Sequence, residues 1–298
     1  MSAAPGVLQT GLPPGPGFLN GLTCRIELDR PRLLGVLNIT PDSFSDGGRF
    51  VAVDAALAHA RQMAAEGADL IDVGGESTRP GAPTVGVQEE LDRVLPVLEV
   101  LRREIAVPLS IDTTKSAVAA AAVAAGAEFV NDVSGLTFDP AMAATVAATG
   151  AGLFVMHTRG RPEVMQVDTS YADLVGEVRS ALQASVDLAV SAGVAAERIA
   201  IDPGIGFGKD VAGNLELLRC LGELAGLGRP LLLGTSRKSF IGRVLGQDDP
   251  ALRQVGTLVT VALGVAGGAR LFRVHEVRSA REAATMAWAV CRGSQWNP

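Results

Sequence analysis

The chain has 298 residues, 48 % of them hydrophobic, only 4 % aromatic and 19 % charged, with a formal net charge of −6. That acidic balance excludes a broad nucleic-acid surface, which needs a basic patch or stripe, and no apolar run reaches the ~18 residues of a membrane span. The aliphatic bias predicts a core of Val, Leu, Ile and Ala, the composition of buried parallel strands.

Residues 1–22 are rich in Gly and Pro without periodicity and read as a flexible leader. Residues 23–298 read as one domain. A short strand or hairpin is expected over 23–31, and the first main strand over 32–38, where LLGVLN ends at Asn38. A long polar loop, 39–49, carries Ser43, Phe44 and Asp46. A helix over 53–66 places Val53, Leu57, Ala60 and Ala64 at helical spacing. The same parts then repeat. Further apolar runs end at Gly74, ahead of Glu76, Ser77, Thr78, Arg79 and Pro80, then at Asp112, at Asn131 and Asp132, at His157 and at Asp202. The last two lead to Ser236, Arg237 and Lys238, and to Arg273 and His275. The stretch 258–269, too short and Gly-rich for a membrane, reads as a buried helix, and 277–291 as the closing helix. Eight strands with reactive residues at their C-terminal ends, separated by helices, predict an α/β fold of the (β/α)₈ TIM-barrel type with one active site at its top. A doubly wound sheet would instead have five or six strands and one switch point.

The strand ends differ in chemistry. Arg273 and His275 stand at i and i+2, on one side of a strand, and two donors there suit a phosphate. Ser236, Arg237 and Lys238 open a strand-to-helix turn, where Lys238 can meet an anion or a heterocycle carbonyl. Asp112, Asn131 and Asp202 supply two carboxylates and an amide, which match the N–H/NH₂ edge of an aminopyrimidinone. IDPGIGFGK lacks the spacing of a nucleotide loop. Its glycines suit close approach to a flat ligand, with Phe207 as a wall. No nucleophile elbow is present. Asn38 offers a neutral oxygen, the kind of weak ligand that Mg²⁺ accepts beside substrate phosphates. No two histidines have metal-ligand spacing, which argues against zinc. Cys24, Cys220 and Cys291 read as structural thiols in a reducing cytosol. The only three lysines follow strand candidates: Lys115 reads as a solvated surface group, Lys209 and Lys238 as members of the site. His157 is expected behind the ligand rather than on it.

The stretches LLGVLNITPDSFSDGG, ADLIDVGGESTRPGA, LSIDT, FVNDVSG, FVMH, IAIDPGIGFGK, LLLGTSRKSFIG and LFRVH closely resemble the dihydropteroate synthases, in that family's order, over about 33–290. The resemblance implies condensation of 6-hydroxymethyl-7,8-dihydropterin diphosphate with 4-aminobenzoate, with Mg²⁺, in folate biosynthesis. It implies that Asp112, Asn131, Asp202 and Lys238 hold the pterin, and that Asn38, Thr78, Arg273 and His275 handle diphosphate, Asn38 also meeting the metal. Pro80, Phe207 and Ser236 would line the 4-aminobenzoate pocket, the target of sulfonamides. Ser43, Phe44, Asp46 and Arg79 would lie on two mobile loops. A cytoplasmic homodimer acting on small molecules is expected, without nucleic acid or membrane. On this reading, loss of Arg273 weakens diphosphate binding and leaves the fold intact. A pterin-binding methyltransferase would not need the SRK and RVH groups, and a non-catalytic homologue is expected to lose Arg79, Lys238 or His275.

Overall fold

The computed structural model describes residues 17–39, 48–79 and 81–295. Two short strands, β1 (Phe18–Asn20) and β2 (Arg25–Glu27), form an antiparallel hairpin. Eight parallel strands follow: β3 (Arg32–Asn38), β4 (Leu70–Gly74), β5 (Leu109–Asp112), β6 (Phe129–Asp132), β7 (Gly152–Met156), β8 (Ile199–Asp202), β9 (Leu232–Leu233) and β10 (Leu271–Val274). Around the sheet they run β8, β7, β6, β5, β4, β3, β10, β9. A parallel bridge between Ile201 and Leu231 joins the two ends of that order. The result is the expected (β/α)₈ barrel. Its helices are α1 (Gly48–Ala65), α2 (Val87–Glu104), α3 (Ser116–Ala125), α4 (Met142–Thr149), α5 (Leu174–Ser191), α6 (Val211–Arg219), α7 (Leu221–Ala225), α8 (Ser239–Leu245), α9 (Gln254–Ala266) and α10 (Val277–Arg292).

Strand periodicity of two sorts the side chains. Leu33, Leu37, Ile71, Val73, Ile111, Val130, Val155 and Ile201 face outward and pack into one core with the helices. Leu34, Leu70, Phe129, Phe154, Ala200, Leu232 and Leu271 face inward and fill the lower barrel. The hairpin plugs that end: Leu19 and Ile26 join the inner cluster, each burial contributing roughly 1.5–3 kcal/mol. The leader expected over 1–22 is therefore cut short, because Leu19 is fully buried in a paired strand.

Counting upward by twos from the lower layer leads to polar positions. Leu34 leads to Asn38, Leu70 to Asp72 and Gly74, Phe129 to Asn131, Ala200 to Asp202, and Leu271 to Arg273. The register agrees, pairing Asn38 with Gly74, Gly74 with Asp112, and Asp112 with Asn131. An apolar lower half thus holds the barrel together, and a polar upper half opens to ligand.

One helix departs from expectation. The stretch read as a buried helix falls largely in α9, whose Val255, Val259 and Leu263 are exposed. Its other face supplies Val261 and Val265 to the core, so its unbroken hydrophobicity serves two surfaces. With Leu215, Val244 and Leu245 the exposed face lines an apolar groove of about 520 Å³. No helix among the described residues is long and apolar enough to cross a membrane.

Candidate active site

The inward rim gathers Asn38, Asp112, Asn131, Asp202 and Arg273, as their strand ends predict. Two inward positions carry glycine and leave space. A Cβ on Gly74 would lie 3.4 Å from Asn38 Oδ1 and 3.6 Å from Asp112 Cβ, and one on Gly234 would lie 3.7 Å from Asp202 Oδ2. A flat ligand can enter there because no side chain fills the gap.

Arg273 is embedded more deeply than its sequence position suggests. Its Nε donates to Asp72 Oδ2 at 2.6 Å and its Nη2 to Asp112 Oδ2 at 2.8 Å. Asn131 Nδ2 donates to the same Asp72 oxygen at 3.0 Å. Asp72 is fully buried in mid-strand and was missed by sequence reasoning, which read LIDVGG only to its end. The signal was present: an ionisable residue inside an apolar run, on the inward parity of its strand. Burial works against Arg273's charge, but Asp72 and Asp112 outweigh it and raise its pKa. Burial pushes the Asp112 carboxyl upward, and Arg273 restrains the rise. Asp72 Oδ1 and Asp112 Oδ1 are buried with no donor among the described residues. Orphaned acceptors call for an explanation, and ligand N–H groups supply one.

Asp202 accepts from Gly204 N at 2.7 Å. Burial raises its pKa to about 6, while that hydrogen bond, Lys238, Lys209 and Arg273 pull the other way. Lys238, at the start of α8, lies with Nζ 3.9 Å from the centre of the Phe207 ring. Burial, with Arg273 nearby, lowers it to about 8. Ser236 Oγ lies 2.9 Å from His275 Nδ1 and accepts from His275 N at 3.2 Å. Since that oxygen already accepts one N–H, its own hydrogen can go to Nδ1, which leaves the imidazole proton on Nε2. Burial and then Arg273, Arg237, Lys238 and Arg79 push His275 down to about 3. It is therefore a neutral donor, not a second cation. Arg237 adopts a left-handed φ of 58° and pairs with Glu276 at the rim.

Thr78 is half-buried and Arg79 exposed on the loop from β4 to α2. Lys115, expected at the surface, instead anchors that loop: its Nζ bonds Glu76, and Glu90 at 2.6 Å. Glu76 also accepts from Val85 N at 2.9 Å, tying the loop's two ends. Asp132 caps its own turn through Ser134 N and Leu136 N. Ser43, Phe44, Asp46 and Pro80 lie outside the described residues.

The fold and this rim define a barrel enzyme whose buried acceptors suit a flat ligand rich in N–H groups, with donors one strand away. The model of the pterin binding enzyme family matches residues 34–275. A dihydropteroate synthase from Synechocystis is 50 % identical over 263 residues, covering 88 % of this chain and 91 % of that one. The crystal structure of the Clostridium difficile dihydropteroate synthase in the presence of pteroic acid superposes with a TM-score of 0.84 at 46 % identity, covering 89 % of this chain and 98 % of that one. The Xanthomonas albilineans dihydropteroate synthase with 4-aminobenzoic acid does so with a TM-score of 0.87 at 45 % identity, covering 95 % and 99 %. The chain belongs to the pterin-binding enzyme family and, within it, to the dihydropteroate synthases. It is accordingly a transferase of folate synthesis.

Proposed function

We propose that the chain joins 6-hydroxymethyl-7,8-dihydropterin diphosphate to 4-aminobenzoate, giving 7,8-dihydropteroate and diphosphate. The observation that carries this reading is the pair of unfilled acceptors on Asp72 and Asp112, next to Asn131, with glycine gaps beside Asp112 and Asp202. These groups and Lys238 would hold the pterin. The remaining guanidinium N–H groups of Arg273, the Nε2–H of His275, and Thr78 would face the diphosphate. Phe207, Ser236 and Pro80 would line the 4-aminobenzoate pocket, and Ser43, Phe44, Asp46 and Arg79 would close over it.

In the reaction the bond between the pterin methylene carbon and the diphosphate oxygen breaks. The aromatic amine nitrogen bonds to that carbon and gives up a proton, for which the departing diphosphate is itself a base. The protein's part is positioning and charge stabilisation. The rim fits Mg²⁺ only as a partner of the substrate. No group of three His, Cys, Asp or Glu among the described residues could hold an ion, whereas Asn38 Oδ1 stands beside Asp112 over Gly74. Asn38 and diphosphate oxygens would hold the ion, which would offset charge developing on the leaving group. In a coupled assay, diphosphate release is expected to require 4-aminobenzoate and Mg²⁺ and to stop with a sulfonamide. Release independent of 4-aminobenzoate would overturn the assignment.

The apolar face of α6, α8 and α9 fits a second copy of the chain, since two-fold pairing buries one such patch against itself and large apolar patches are rare on monomers. Sedimentation is expected to give about twice 30.7 kDa, and Val259→Glu to give monomer. A wild-type monomer at micromolar concentration would exclude the homodimer.

A further inference from the structure

We propose that Lys209 is a positioning residue for the second substrate: its buried ammonium, with the His157 imidazole as a fixed acceptor, holds the loop after β8 in the shape that presents Phe207. The inference rests on the reading of Phe207 as a wall of the 4-aminobenzoate pocket.

Lys209 is only 3 % exposed. Its Nζ lies 2.8 Å from Phe207 O, 2.9 Å from His157 Nδ1 and 3.0 Å from Gly204 O, with His157 O at 3.4 Å. Burial lowers Lys209 to about 7, with Asp202 pulling it upward; in the protonated form its three N–H groups meet three close acceptors, all of them neutral. Burying an ammonium is costly unless its donors are fully used, and a methionine of similar length would avoid that cost. What the ammonium supplies instead is direction, three bonds aimed at three points of chain.

The loop needs such a tie. Gly204, Gly206 and Gly208 all take left-handed φ values of 67°, 83° and 62°, and glycine loses the most conformational freedom on ordering. Gly204 admits no side chain, since a Cβ there would lie 1.9 Å from His157 O. The other polar groups of the loop are held from outside as well: Gly206 N donates to Asn214, Gly206 O accepts from Gln166, and Gly208 O accepts from Tyr171. Gly204 O also accepts from Phe207 N at 3.0 Å, and among the described residues Lys209 is the side chain that grips both carbonyls bracketing Phe207's approach. The Phe207 ring then packs with Val133, Met156 and Met165 and receives Lys238 on its face. His157 is suited to its part: burial, Lys209 and Arg159 lower it to about 3, so Nδ1 stays an acceptor and the proton stays on Nε2.

Steady-state kinetics on the full chain with both substrates varied, together with hydrogen exchange of the 204–208 amides, test the inference. Lys209→Met and His157→Leu are expected to raise KM for 4-aminobenzoate by about tenfold or more, to leave KM for the pterin diphosphate within about threefold, and to lose exchange protection in the loop. His157→Asn, whose Oδ1 falls where Nδ1 was, is expected to behave as wild type. Unchanged 4-aminobenzoate KM in both disruptive variants would overturn the proposal, as would an equal rise in both KM values or an asparagine variant as poor as the leucine one. Should Lys209→Met not fold, the two His157 variants decide. Should the wild type release no diphosphate, the functional reading fails, and exchange alone decides: wild-type protection in His157→Leu overturns the tie.

Discussion

Replacing Asp202 with asparagine is expected to weaken binding of the pterin diphosphate at least about a hundredfold, or about 2.7 kcal/mol, measured by calorimetry. A hydrogen bond to a charged group contributes about 1.5–3 kcal/mol, and the pterin edge offers Asp202 a pair of N–H donors. Asparagine would meet one of those donors with its own NH₂, so a bond is replaced by an opposition of donors. Wild-type affinity should also fall as pH drops through about 6, where Asp202 takes a proton, and the variant should lack that acid limb. The linkage to folding runs in the opposite direction. A carboxyl raised above its unfolded value stabilises the fold most at low pH, and that contribution is lost as pH rises through about 6. The fold therefore holds Asp202 least comfortably in the state in which it binds. An unchanged dissociation constant in the variant would remove Asp202 from the pterin site.

Arg273→Met is expected to lose about 3–5 kcal/mol of stability to urea at pH 8, the usual result of stripping the partner from a buried charge. Methionine fills much of the same volume, so the loss would be electrostatic. Asp72 and Asp112, both buried, would face each other without the guanidinium that now bonds to each. The deficit should shrink toward pH 5, because Asp112, already raised by burial, can neutralise itself by taking a proton. The expectation that losing Arg273 would spare the fold is thereby reversed. A change within about 0.5 kcal/mol, typical of surface substitutions, would mean that Arg273 is a free cation after all.

Much of the site could be read from the chain because strand ends announce themselves. Asn38, Asp112, Asn131 and Asp202 each close an apolar run, Arg273 stands one residue before the end of its strand, and the period of two then selects the same face for all of them. Asp72 escaped because it sits inside a run, where attention to ends does not reach. His275 was read as a donor but not as a neutral one. Its neutrality comes from burial first, then from Arg273 on its own strand and from Arg237, Lys238 and Arg79, which reach it only after folding. Lys115 and Lys209 look alike in sequence, each just past a strand. One ties a loop through two glutamates and the other through backbone carbonyls and a histidine.

By itself the sequence determined the barrel, its closing order and the chemistry at each strand end, since these follow from local periodicity and from short connections between neighbours. Pairing was decided by the tertiary structure alone. Arg273 meets Asp112 across 161 residues and Asp72 across 201, contacts that exist only once the sheet has closed and its register is set. The same closure decided that the hairpin plugs the barrel floor and that α9 turns an apolar face outward. Periodicity records which side of an element a residue occupies, whereas its partner there depends on how distant elements are brought together.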